Sequence, residues 1–141
     1  MSWGKDQVLA FLAGETRLGR LATVSADGVP HVVPIWFKVA GDRLHVHTLA
    51  ESRKARNIAA TGRFSLTADK DTLPYKGATV GGRAEVVTND VVDSLALVKE
   101  LAVAHAGPEV GPGMGGYIAG MPGEHVTLVL HVDETESWDY S

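Results

Sequence analysis

The segment Glu51-Ser52-Arg53-Lys54-Ala55-Arg56-Asn57 sets three basic side chains within four consecutive positions, directly after a strand-like run and at the start of a helical pattern. A helix start carries unpaired backbone N–H groups and the positive end of the macrodipole, so an anion placed there gains hydrogen bonds and field together. At about 100° per residue, Arg53, Lys54, Arg56, Asn57 and Ala60 share one arc, and Ala55, Ile58 and Ala59 share the opposite one. The chemistry implied is phosphate binding in a cradle of outward-facing cations. The alternative is the solvated face of a short amphipathic helix.

The cradle stands in an otherwise acidic chain. The 141 residues carry 13 Lys and Arg against 17 Asp and Glu, a formal net charge of −4. That balance argues against a nucleic-acid partner, which calls for a broad basic surface, and points the local cations at a small anionic ligand. Without cysteine there is no disulfide, no thiolate metal site and no cysteine nucleophile. No apolar run is long enough to cross a bilayer, and Met1-Ser2-Trp3-Gly4-Lys5-Asp6 leads into no signal-type apolar core. A cytoplasmic protein with no membrane partner is expected. The length fits a single domain over residues 1–141, large enough to bury a core without staples.

The elements that must position the cradle are mostly β. Residues 5–13 place Val8, Leu9, Phe11 and Leu12 on one helical face and Gly14 as a stop. Leu18 to Val24 and Val29 to Val39 flank Asp27-Gly28, a hairpin signal, and Ala40-Gly41-Asp42 turns into the alternating run Arg43 to Thr48. Three antiparallel strands in a meander are expected. After the basic helix, Arg63 to Asp69 and Lys76 to Thr88 read as strands, the second with Gly77, Gly81 and Gly82 at corner or bulge positions. Thr88 or Asn89 is expected to cap a helix from Asp90 to about Ala104 with Val91, Leu95, Val98, Leu101 and Ala102 as its apolar stripe. Residues 107–123 are so rich in glycine and proline that a long loop is expected, a candidate lid over a ligand. Glu124 to Val132 closes the set as a strand apolar on both faces. The order indicates a mainly β fold, a small antiparallel β-barrel with covering helices.

Four segments together resemble the pyridoxamine-phosphate-oxidase-like FMN-binding split β-barrel family, specifically its small branch using the deazaflavin coenzyme F420. They are Leu18 to Phe37, similar to the family's first two strands; Ser52-Arg53-Lys54-Ala55-Arg56-Asn57, similar to its phosphate-contacting helix start; Gly82-Arg83-Ala84-Glu85-Val86, similar to its long bent strand; and Val126 to Trp138, similar to its closing strand. The resemblance implies a split antiparallel barrel and a homodimer with two cofactor sites at the subunit interface. Carried over by position, Lys54 is the foremost phosphate ligand, with Ser52, Arg53, Arg56 and Asn57 around it. Val33, Pro34, Ile35 and Trp36 would line the ring system, and His47 and Thr48 would sit where the third strand approaches it. Trp36 as a cofactor wall competes with Trp36 as plain core. A proline inside a strand cannot donate to the ladder, so Pro34 belongs at an edge, a bulge or a ligand contact.

F420 carries a longer anionic tail than FMN, and three clustered cations suit the longer tail. The expected activity is hydride transfer between reduced F420 and an unsaturated or conjugated small organic substrate, with FMN as the alternative cofactor. A carrier that holds a cofactor, haem or another polycycle without turnover is the alternative from outside the enzymes. No residue identifies itself as a catalytic acid or base; His31 and Tyr75 are reserve candidates. His45 and His47 share a strand face that His125 or His131 could join, yet no acidic or cysteine partner completes a ligand pattern, so no metal site is expected.

Overall fold

The computed structural model describes residues 2–15 and 17–141. Helix α1 (Lys5–Gly14) precedes strands β1 (Gly19–Val24), β2 (Pro30–Ile35), β3 (Lys38–Ala40) and β4 (Arg43–Leu49). Helix α2 (Arg53–Thr61), strands β5 (Arg63–Lys70) and β6 (Lys76–Val87), helix α3 (Ser94–Ala119) and strands β7 (His125–His131) and β8 (Glu134–Asp139) follow. All pairings are antiparallel, and the strand order is β2-β1-β5-β6-β7-β4-β3, with β8 added on β6. This curled sheet is the mainly β, split-barrel architecture the sequence implies.

The barrel is split because the long run from Val29 to Val39 does not stay one strand. Among the described residues β2 pairs only with β1, and β3 only with β4, at opposite ends of the strand order. The expected three-stranded meander is therefore corrected to two separate hairpins. Trp36 and Phe37 carry the chain between the two edges, and alternation continues through them: Ile35 and Phe37 turn inward and are buried, whereas Trp36 turns outward.

β6 shows how the sheet bends. Its first half pairs with β8 and its last residues, Ala84 to Val87, pair with β7. The change of partner falls at Gly81-Gly82, where Gly82 has φ +148° and a Cβ would stand 2.4 Å from Asp133 Oδ2. Only glycine accepts both the conformation and the closeness. Asp133 fixes the corner by accepting from Arg83 N, Nε and Nη2, each at 3.0 Å.

The core lies inside the curl, with Leu21, Leu44, Val46, Leu66, Val80, Leu128 and Leu130 at 0–1% exposure. α1 covers it through Val8 and Leu12, and α2 through Ala55 and Ile58. Burying an aliphatic side chain of this size contributes about 1.5–3 kcal/mol, so these few inward positions decide which way each amphipathic element faces.

α3 corrects two expectations. Its N-cap is Asp93, whose carboxylate accepts from Ala96 N at 3.0 Å, while Asn89 Oδ1 accepts from Ser94 N. Val91 therefore lies outside the helix and is exposed; the buried stripe is Leu97, Val98, Leu101 and Ala102. The second correction is larger. Residues 107–123 are not a loop, because the chain kinks at Gly107 (φ 87°) and runs on as helix to Ala119. Pro108 begins this second arm, where its missing N–H is harmless, and Pro112 forfeits only one bond of the first turn, the one to Pro108 O. Gly111 and Gly115 lie one turn apart and let the arms touch: a Cβ on Gly111 would stand 2.5 Å from Val103 Cα, and one on Gly115 3.0 Å from Lys99 Cα. The glycines serve close helix packing rather than flexibility.

Candidate functional site

α2 begins on Ser52, whose hydroxyl accepts from Ala55 N at 3.2 Å and in turn receives the Thr48 hydroxyl at 2.9 Å. Gly62, at φ 66°, ends the helix, its N–H bonding Ile58 O. With both ends fixed and Ala55 and Ile58 buried, the basic residues are set at the lip of the split.

They do not all face outward. Arg53 and Arg56 are exposed, Lys54 is half-buried, and Asn57 is buried with its Nδ2 donating to Thr23 Oγ1 at 3.1 Å. Ala59, expected on the buried arc, is exposed. Asn57 thus ties α2 to β1, which sequence periodicity could not distinguish from membership of the cradle.

Lys54 lines a groove of about 330 Å³ together with Leu18, Pro34, Ile35, Trp36, His47, Val98, Leu101 and Ile118. Five of the anticipated residues, Pro34, Ile35, Trp36, His47 and Lys54, therefore meet in one place. Trp36 stacks on His105 of α3, with ring centroids 5.2 Å apart and planes 16° from parallel. Pro34 lies on the edge strand β2, where no ladder bond is demanded of it. Arg53 opens instead on a neighbouring concavity with Asn57, Ser25, Asp27 and Val29. Val33 packs against the core, Thr48 is buried and engaged with Ser52, and Arg56 stands in solvent outside the groove. His31 and Tyr75 lie away from it, Tyr75 being 47% exposed.

The electrostatics of the groove are unusual in one respect. Burial holds the Lys54 ammonium below its ordinary pKa, and no carboxylate lies within ion-pair distance of it among the described residues. A partly desolvated cation without a counter-ion is a cost that a bound anion removes. Beside it, His47 is lowered to about 4, first by burial and then by His125 and Lys54. Its Nε2 lies 2.8 Å from His125 Nδ1, and His125 Nε2 lies 2.8 Å from Met121 O. Among the described residues no group of three or more His, Asp or Glu side chains is disposed to hold a metal ion, and no helix is long and apolar enough to cross a membrane.

Sequence reasoning missed the contribution of α3. Val98 and Leu101 come from its first arm and Ile118 from its second, and the second arm was hidden by its glycine and proline content. His125 was visible as one member of an alternating strand and, with His131, as a histidine that could join His45 and His47, not as the hydrogen-bond partner of His47. Nothing local pairs it with His47, since the two meet across β4 and β7 through the register His47↔Thr127 and Leu49↔His125.

A family model described as pyridoxamine 5'-phosphate oxidase matches residues 5–139. A 5a,11a-dehydrotetracycline/5a,11a-dehydrooxytetracycline reductase of Streptomyces rimosus is 32% identical over 77 residues, which cover 49% of this chain and 54% of that protein. The chain thus spans about half the length of this curated relative. Among solved structures, a conserved hypothetical protein of Mycobacterium tuberculosis superposes with a TM-score of 0.72 at 25% identity, over 98% of this chain and 86% of its own. A protein described as an F420 reductase superposes with a TM-score of 0.70 at 23% identity, over 90% and 94% of the two chains.

Proposed function

The chain belongs to the pyridoxamine 5'-phosphate oxidase family, which contains oxidoreductases, and from that premise we propose that it transfers a hydride between reduced coenzyme F420 and an unsaturated or conjugated small organic substrate. The observation that carries this is Lys54, a half-buried cation with no carboxylate partner among the described residues, facing a groove walled by Trp36, Ile35 and Pro34. A groove with apolar and aromatic walls and one half-buried positive charge fits a polycyclic ring bearing an anionic tail.

Bound F420 would supply the hydride chemistry, and the chain's residues would supply position and exclusion of water. Lys54 would neutralise the tail where it enters. Arg53, in the adjoining concavity, extends the positive path and favours the longer tail of F420 over the single phosphate of FMN; Asp27 on that rim sets a limit to the anion's charge there. Trp36, held by its stack on His105, would keep solvent from one side of the ring. The relative from Streptomyces rimosus is by name a reductase of dehydrotetracyclines, and a partly unsaturated polycycle is the kind of acceptor proposed here. A homodimer that completes the walls of each groove belongs to the same proposal.

Fluorescence titration of the cofactor-free protein with F420 and with FMN tests this directly, followed by oxidation of reduced F420 with conjugated acceptors. Preference for F420 and acceptor-dependent oxidation are expected. Tight FMN binding with no response to F420 would transfer the site to flavin chemistry, and F420 binding without turnover would make the protein a carrier.

A further inference from the structure

We propose that His125 is a positioning residue that locks His47 in the tautomer protonated on Nε2, so that His47 presents a bare Nδ1 to the groove as a hydrogen-bond acceptor for an N–H or O–H group of the bound ring system. The polarity follows from one fixed end. Met121 O is a carbonyl and can only accept, so His125 Nε2 carries the proton in its 2.8 Å bond. Neutral His125 then has a bare Nδ1, and the 2.8 Å contact to His47 Nε2 requires His47 to donate. A neutral His47 that donates through Nε2 has no proton on Nδ1.

Nδ1 is also free to act. Among the described residues it has no hydrogen-bond partner, and it is not one of the enclosed unpaired side-chain nitrogens, which are Arg17 Nε and His31 Nδ1, so it keeps accessible surface on a residue that lines the groove. The groups facing the ring are His125 from β7 and Lys54 from α2, and both, with burial, oppose protonation of His47. His47 is therefore uncharged at neutral pH. The two ring centroids stand 5.1 Å apart with planes 29° from parallel, and the Nε2 contact turns Nδ1 to the far side of the His47 ring from His125. The bonding partner is named on the basis of the cofactor proposal above: flavin-type and deazaflavin rings carry an imide N–H, a donor that a bare imidazole nitrogen matches. The tautomer lock itself requires no ligand.

Nitrogen-detected NMR of the imidazoles in the cofactor-free protein, with the His47 signals identified by their loss in His47→Gln, reads the tautomer. Wild type should show His47 Nδ1 unprotonated and Nε2 protonated at neutral pH. In His125→Phe the bias should collapse to a mixture, and in His125→Asn, whose amide oxygen stands where Nδ1 stands and accepts the same proton, it should return. Backbone amide spectra establish that each variant is folded. Titration with F420 and FMN should give binding about twofold weaker in His125→Phe, the share of the acceptor tautomer lost in an even mixture, about tenfold weaker in His47→Phe, the loss of one hydrogen bond, and near wild-type binding in His125→Asn. A proton on His47 Nδ1 in the wild type, or an unchanged tautomer in His125→Phe, overturns the lock. Unchanged affinity in His47→Phe overturns the acceptor role. If wild type binds neither cofactor, the proposed function falls and the imide donor with it, while the tautomer spectrum stands or falls by itself.

Discussion

Lys54 and His47 sit on the same groove wall, and their environments act on them in the same direction. Burial disfavours the charged form of each, and the charge of Lys54 further disfavours a proton on His47. For Lys54 the consequence is in binding. A charge-assisted hydrogen bond to a phosphate contributes about 1.5–3 kcal/mol, so Lys54→Ala should weaken F420 binding roughly tenfold or more, whereas Arg56→Ala, in solvent, should change it little. Equal effects of the two substitutions in the fluorescence titration would disperse the site over the whole helix face. For His47 the consequence is in stability. Its folded pKa of about 4 lies below the ordinary 6.5, so the unfolded chain binds the proton more readily, and its contribution is complete above pH 6.5 and lost as pH falls to about 4. The melting temperature of wild type should fall across that window relative to His47→Gln. His45 and His105, lowered by the same kind of burial, remain in both proteins and cancel in the comparison. Parallel pH profiles would place His47 in solvent.

Among the elements, α2 and α3 mark what a sequence displays and what it hides. The start of α2 was legible because its determinants are local: Ser52 as cap, three cations after it, Ala55 and Ile58 spaced to face inward. Asn57 was misplaced because its bond to Thr23 depends on where β1 passes, and Ala59 and Lys54 differ from the expected arcs in the same way, Ala59 exposed and Lys54 half-buried. The second arm of α3 was illegible because glycine and proline oppose helix in isolation, and only the first arm, lying against it, converts Gly111 and Gly115 from weak points into contact points. The strands behaved likewise. Alternation showed that 29–39 was extended, but partner choice is nonlocal, so the break at Trp36-Phe37 was not visible. The packing account of α3 makes a paired prediction. Gly111→Ala forces a methyl into the backbone of Val103 and Ala102, 2.5–2.8 Å away, and should cost about 1–3 kcal/mol, lowering the melting temperature by some 2–4 °C per kcal/mol. Gly113→Ala, with nothing within 4 Å of its Cβ, should be neutral or stabilise by about 0.4–1 kcal/mol. Thermal unfolding of the two variants decides it; a reversed order would mean the arms do not touch as described.

For the molecule as a whole, the split leaves an unfinished surface. β2 is an edge strand, and Pro30, Val32 and Pro34 alternate along its outward face, Val32 at 65% exposure. Behind them on β1, Val24 and Ala22 stand opposite Pro30 and Val32 in the same register. The two prolines block ladder pairing with a further strand, so the edge is protected against indiscriminate strand addition while its apolar side chains stay uncovered. An apolar face of this kind beside an open ligand groove is what a second copy of the chain would cover, and Leu18, 46% exposed, is shared between the face and the groove. The proposed homodimer would thus join subunit contact to cofactor binding. A charge on Val32 should separate them: Val32→Lys is expected to shift the mass in sedimentation analysis from twice 14.9 kDa to a single chain, with the fold intact by circular dichroism because Val32 packs on nothing within its own subunit core. If the grooves need the partner's wall, F420 affinity falls in the same variant, and adding F420 drives wild-type monomer to dimer by mass action. A wild type that sediments as one chain at all concentrations, with or without F420, would make each groove complete in itself.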